Sequence, residues 1–130
     1  MRDDEVGATV RERFGQRALD AITGVLSVCE TLTEFASIGP DVFLHDTRTQ
    51  WAVEMGLIRI GEGVNRIPDD LLEAYPGQPW REIIGMRNLA AHQYDDLEPG
   101  RVWRTLTVDV HALQGYLERD VLRSAERDGG

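Results

Sequence analysis

The chain contains no lysine, a single cysteine, and no apolar run long enough to cross a membrane. All fourteen basic residues are arginine. This is read mainly as coding bias, although a guanidinium is also the better two-pronged partner for phosphate. The lone thiol, Cys29, has no disulfide partner within the chain and falls inside an apolar helical pattern. A buried structural thiol in a reducing compartment is expected, and the cytoplasm fits. Met1-Arg2-Asp3-Asp4-Glu5 carries acid and no apolar signal core, and the Asp3-Asp4-Glu5 run reads most simply as a solvated end. No eighteen apolar residues run without a charge, so neither export nor a membrane span is expected. Histidines at 45, 92 and 111 and one cysteine match no familiar ligand spacing. Zinc-finger and H-E-x-x-H patterns are both absent, so no structural metal and no cofactor are expected.

A net charge of −9 excludes a protein that coats nucleic acid without selectivity, because such binding sets many cations against phosphates. Any nucleic-acid site must be local. A length of 130 residues suits one domain with a real core, spanning 1–130, with 1–8 and 125–130 expected to fray.

Apolar periodicity is helical throughout. From Val10 to Phe35 the residues Val10, Phe14, Ala18, Ala21, Val25, Val28, Leu32 and Phe35 recur at steps of three and four. They predict one helix of about seven turns, widened by Leu19, Ile22, Leu26 and Cys29. Ser37-Ile38-Gly39-Pro40 breaks it. A second helix is predicted from Asp46 or Thr47, with a capping residue ahead of Trp51, Val53, Met55, Leu57, Ile58, Ile60, Val64 and Ile67, and Pro68 as its end. Gly56, Gly61 and Gly63 each weaken that helix by about 1 kcal/mol relative to alanine, which points to close approach by another helix. Leu71 to Tyr75 reads as a short helical turn, and Pro76-Gly77-Gln78-Pro79 as a loop. The third main helix is predicted from Pro79 through Trp80, Ile83, Ile84, Met86, Leu89 and Ala90 towards Tyr94. After a turn at Asp95 to Gly100, Val102, Trp103 and Leu106 predict a short helix. A last one, capped near Asp109, would bury Val110, Leu113, Leu117 and Val121. No alternating stretch of strand length stands out, and the class is all-α.

The polar residues of the third helix, Arg87, Asn88, His92 and Tyr94, are the types that phosphodiester chemistry uses. Arginine grips phosphate with two charge-assisted hydrogen bonds and offsets the charge that builds in the transition state. Histidine titrates near neutrality, so it can take a proton from an attacking 2′-hydroxyl or give one to the leaving oxygen. On a straight helix the five-residue step from Arg87 to His92 leaves them about 140° apart. The helix must therefore end or distort near His92, or a second protomer must complete the site, and a dimer with a composite cleft is favoured. For an arbitrary helix the structural reading would win: a solvated arginine, a capping or interface histidine and a half-buried tyrosine.

The wider segment shifts that balance. Arg87-x4-His92-x-Tyr94, with Asn88 after the arginine, resembles the R-x4-H-x-Y motif of the HepT toxins of the HEPN superfamily. The likeness extends to Pro79-Trp80, Gly85-Met86-Arg87-Asn88, Ile60-Gly61-Glu62 and Val102-Trp103. By motif it spans about Trp51 to Leu106. The resemblance implies an antiparallel bundle of about five helices that pairs as a homodimer through the motif helix, with a cleft in which RNA is cut without metal. Carried over by position, Arg87 and His92 would be the catalytic pair of an endoribonuclease and Asn88 a polar support. It also implies one half of a type VII-like toxin and antitoxin pair, in which a minimal nucleotidyltransferase neutralises the nuclease by moving AMP onto Tyr94. Added bulk and negative charge beside a phosphate pocket would repel RNA. Two departures stand out: Asp95-Asp96 follows Tyr94 where the family more often has an apolar residue, and Gly63 replaces a commoner alanine.

Other candidates have plainer explanations. His45, in the Phe43-Leu44-His45-Asp46 connection, is best read as bonded to Asp46 or solvent, and His111 as structural or exposed. Trp51, Trp80 and Trp103 could stack on bases, yet core packing or a dimer interface fits their apolar context better. Glu62 could orient an arginine of the site, or pair with Arg59 or Arg66 on its own helix. A rival to the nuclease is a noncatalytic module that docks a nucleotidyltransferase and presents nucleotide or a modification target.

Overall fold

The apolar stripe from Val10 to Phe35 folds as two helices rather than one. Over residues 7–91 and 98–123, which a computed structural model describes, α1 (Ala8–Phe14) stops at Gly15 and α2 (Gln16–Ala36) starts immediately after it. Gly15 has φ 99° and ψ 163°, a conformation that residues bearing a β-carbon rarely adopt. The break leaves the spacing of the apolar residues unchanged, so periodicity alone reads straight through it.

Gly39 and Pro40 end the stripe as expected, but the connection beyond is itself helical: α3 (Pro40–His45) has its proline in the first turn, where the missing N–H costs nothing. Asp46 then caps α4 (Thr47–Asn65), its carboxylate accepting the Arg48 backbone N–H at 3.1 Å and the Thr49 hydroxyl at 2.8 Å. The bond from Thr49, foremost, holds the Asp46 carboxyl below its ordinary value. Past α4, Pro68 leads into the short α5 (Asp69–Ala74) and Pro79 into α6 (Trp80–Gly85), which continues as a 3-10 helix over Met86–Ala91.

The final stretch departs from its expected division. α7 (Pro99–Arg104) and α8 (Val110–Tyr116) are joined by a segment with π-type bonding, Thr105–Asp109, and a second such segment, Leu117–Arg123, continues α8. Helical winding is unbroken from 99 to 123. Asp109 has φ −73° and ψ −42° and makes no capping bond, so the predicted cap there is corrected. Val102, Leu106, Val110, Leu113, Leu117 and Val121 are all buried and follow one another at steps of three and four. That single stripe outweighs the capping preference of one aspartate.

α2 and α4 pack together at the centre, with the start of α2 beside the end of α4, so the pair is antiparallel. α1 and α8 pack on α2, while α6 and the 3-10 helix pack on α4. Ile22, Val25, Leu32, Val53, Leu57, Ile60 and Val64 form the middle of the core. α3 closes one end, where Phe43 meets Trp103 with ring centroids 5.1 Å apart. Every regular element among the described residues is helical, and no described helix is long and apolar enough to cross a membrane.

Candidate active site

Two contacts fix where the motif segment begins. The Trp80 indole N–H donates to the Tyr75 carbonyl at 2.8 Å, and its ring meets Tyr116 edge-on at 6.0 Å. The Tyr116 hydroxyl in turn accepts the Gly77 backbone N–H at 3.0 Å. A β-carbon at Gly77 would collide with the Tyr116 ring. The Pro76-Gly77-Gln78-Pro79 turn is thereby pinned to α8, and α6 leaves it in a defined direction.

α6 then crosses α4 at Gly61. A β-carbon there would lie 2.5 Å from the amide nitrogen of Arg87, 2.9 Å from the Ile83 carbonyl oxygen and 3.0 Å from that of Ile84. All three are backbone atoms, which cannot swing aside as a side chain can. The three α4 glycines do admit neighbours, as their cost implied: Gly56 faces the Leu32 side chain and Gly63 the Val25 side chain of α2. Only Gly61 faces backbone, and it is the backbone of the motif.

The single helix predicted to reach Tyr94 is corrected at this crossing. α-Helical bonding ends at Gly85, and the tighter 3-10 winding takes over from Met86. This change of winding sets in ahead of Arg87, where the chain presses on α4; the end or distortion expected near His92 falls outside the described residues. Arg87 and Asn88 are both exposed, side by side, with the Arg87 backbone seated on α4. His92 and Tyr94 lie outside the described residues. Glu62, next to Gly61, is exposed, and Arg59 and Arg66 flank it one turn away on each side. Two turns before Gly61 on the same flank of α4, burial pushes the Glu54 carboxyl up from its ordinary value.

The remaining candidates separate clearly. His45 sits in α3 rather than a loop, and its Nδ1 lies 2.8 Å from the Asp41 carbonyl oxygen; the expected link to Asp46 is replaced by a bond within the helix. His111 is exposed on α8. Cys29 is buried, and burial foremost, with Glu118 and Glu30 adding to it, pushes its thiol up to about 12. Trp80 and Trp103 are half-buried and packed against the core. Trp51 is 62 % exposed and Met55, one turn on, 52 %, so within this chain Trp51 is not a core residue.

Sequence reasoning missed a groove. Between α2 and α4 runs a cleft of about 790 Å³ bordered by Arg17, Asp20, Arg59, Glu62 and Arg66, with Gly24 and Gly63 in its floor. It continues past Val28, Leu32, Phe35 and Met55 towards the Trp51 end of α4. Arg59 and Arg66 were visible on one helix face, but no pattern in the sequence links them to Arg17 on another helix.

Comparison with known proteins agrees with this arrangement. The family model for "Ribonuclease HepT-like" proteins matches residues 25–119, a span that holds α4, the Gly61 crossing and the motif. A "probable ribonuclease HepT" of Thermococcus cleftensis is 34% identical over 101 residues, 77% of this chain and 92% of that protein. A "putative RNase" of Methanocaldococcus jannaschii is 30% identical over 96 residues, 73% of this chain and 83% of the other. Another, of Caldanaerobacter subterraneus subsp. tengcongensis, is 31% identical over 91 residues, covering 69% and 81%. No solved structure matches the chain. On the strength of that matched span and these relatives, the chain belongs to the ribonuclease HepT-like family of the HEPN superfamily.

Proposed function

We propose that this protein is a metal-independent endoribonuclease that acts as a toxin, with Arg87 and His92 as its catalytic pair. The observation that carries the proposal is Arg87-x4-His92-x-Tyr94 in a chain of this family, with Arg87 exposed at the crossing over Gly61. His92 takes the proton from a ribose 2′-hydroxyl. The freed oxygen attacks the adjacent phosphorus, the bond from phosphorus to the 5′-oxygen breaks, and that oxygen is protonated as it leaves. The products are a 2′,3′-cyclic phosphate and a free 5′-hydroxyl, and no metal is required. Arg87 holds the phosphate oxygens as their charge rises, and Asn88 supports them by polar contact.

A homodimer paired through the motif segment supplies the second copy of each residue. AMP transfer to Tyr94 by a minimal nucleotidyltransferase partner would shut the site by adding bulk and negative charge where RNA phosphate binds.

The test is induced expression of wild type, Arg87→Ala and His92→Ala without a partner, followed by sizing of total RNA. Growth arrest with fragmented RNA in wild type, absent from both variants, is the expected result. Equal growth and intact RNA in all three, with soluble dimer present, would favour the rival noncatalytic module that docks the nucleotidyltransferase. The net charge of −9 is the observation on that side.

A further inference from the structure

We propose that the groove between α2 and α4 is a second RNA-binding site, one that holds the single strand beyond the scissile phosphate. Arg17, Arg59 and Arg66 would meet its phosphates, and Trp51 would stack on a base. The inference rests on the ribonuclease reading for the identity of its ligand and on separate residues for its site.

The geometry of α4 carries it. At about 100° per residue, Trp51, Arg59 and Arg66 fall within about 80° of one another around the helix and extend about 22 Å along it. All three are exposed. Arg17, from the start of α2, brings a third guanidinium to the end of the groove that Arg66 borders. A cationic groove with an exposed aromatic on its line is the combination that holds single-stranded nucleic acid without strict sequence preference. Bases supply a flat face to the indole, and phosphates supply charge to the guanidinium groups.

Continuity with the motif argues for RNA as the occupant. Glu62 borders the groove and is the residue after Gly61, on which the Arg87 backbone rests, so the groove and the motif flank the same stretch of α4. The arginines also stand out against the chain's net charge of −9. Asp20 and Glu62 lie among them. Each sits three or four residues from an arginine on its own helix, the spacing at which a carboxylate holds a guanidinium in place. These carboxylates lower the total attraction and so predict moderate affinity with a short footprint.

The experiment measures binding of a fluorescein-labelled 2′-O-methyl RNA 20-mer, which lacks the attacking hydroxyl, by anisotropy across a potassium chloride series. Cleavage of a dinucleoside monophosphate, which spans only the scissile phosphate, is measured in parallel. The triple variant Arg17→Gln/Arg59→Gln/Arg66→Gln should bind the 20-mer at least tenfold more weakly and flatten the slope of log affinity against log salt by about two units, at about 0.7 per lost contact. Trp51→Ala should weaken binding by about tenfold with the salt slope unchanged. Asp20→Asn should strengthen it, and dinucleotide cleavage should be untouched in all of them. Equal 20-mer affinity and slope in wild type and the triple variant would overturn the proposal. So would loss of the dimer in the triple variant with RNA affinity retained, which would make this face a protein interface. If wild type binds through the groove yet cuts neither the dinucleoside monophosphate nor an unmodified RNA 20-mer, the ribonuclease reading fails and the RNA site stands.

Discussion

Gly61 and Arg87 lie in direct backbone contact: a single added carbon at position 61 would stand 2.5 Å from the Arg87 amide nitrogen. The residue that would grip phosphate is therefore seated by a residue with no side chain on a different helix. Placement of Arg87 depends on how closely two helices approach, and that approach depends on the absence of one methyl group.

Gly61→Ala should accordingly be the most damaging of the three glycine-to-alanine substitutions on α4, since the added carbons at Gly56 and Gly63 meet only side chains. Alanine favours the helix locally by about 1 kcal/mol, but the β-carbon meets backbone on all sides, and overpacking of this kind costs about 1–3 kcal/mol. Urea unfolding should show net destabilisation, and RNA cleavage by the folded fraction should fall as Arg87 shifts. Gly24→Ala is the control. Nothing lies within 4 Å of its added carbon, so it should gain most of the helix benefit.

The buried thiol makes stability fall at alkaline pH. Cys29 ionises near the ordinary thiol value of 9.0 in the unfolded chain and only at about 12 in the fold. Between these values the folded state holds a proton that the unfolded state has released, so the stabilising contribution is complete below about pH 9. It is lost as pH rises, by about 1.4 kcal/mol per unit. Comparing urea midpoints of wild type and Cys29→Ala from pH 8 to 10.5 checks this, since the variant should lack that part of the slope. Iodoacetamide at pH 8 should label Cys29 only after unfolding.

Asp46 gives the opposite sign. Its carboxyl is held below the ordinary value of 3.8 by Thr49 and by the helix N–H that it caps. Its contribution is present above that value and lost as pH falls through the lower folded one. Asp46→Ala should reduce the melting temperature at pH 7. Asp46→Asn should keep most of the cap while removing the acid dependence, which thermal scans between pH 3 and 7 would show.

Tyr116→Phe should separate structure from chemistry. It removes the acceptor for the Gly77 N–H and leaves the ring against Trp80, a loss of about 1 kcal/mol by analogy with other single hydrogen bonds. Because the turn still precedes Pro79, cleavage per folded molecule should stay within about twofold, as a stopped RNA assay normalised to folded protein would report. A loss as large as that of Arg87→Ala would mean that the turn itself positions the site.

The helical class, the cap at Asp46, the buried thiol and the motif residues are all legible in the sequence, because each depends on neighbours within a turn or two. Residues three and four apart share a face whatever packs on it, and a side chain can cap only its own helix end. What periodicity cannot register is a change of backbone geometry that keeps the apolar spacing intact. Gly15 splits one stripe into α1 and α2, while Asp109 sits inside an unbroken stripe that its capping preference suggested would end. Glycine counts on α4 announced a close approach but could not say which of Gly56, Gly61 and Gly63 meets backbone. The seating of Arg87, the onset of 3-10 winding at Met86 and the placing of Arg17 on the same groove as Arg59 and Arg66 were decided by tertiary structure alone, because each depends on residues from different helices, and contact between helices has no period in the chain.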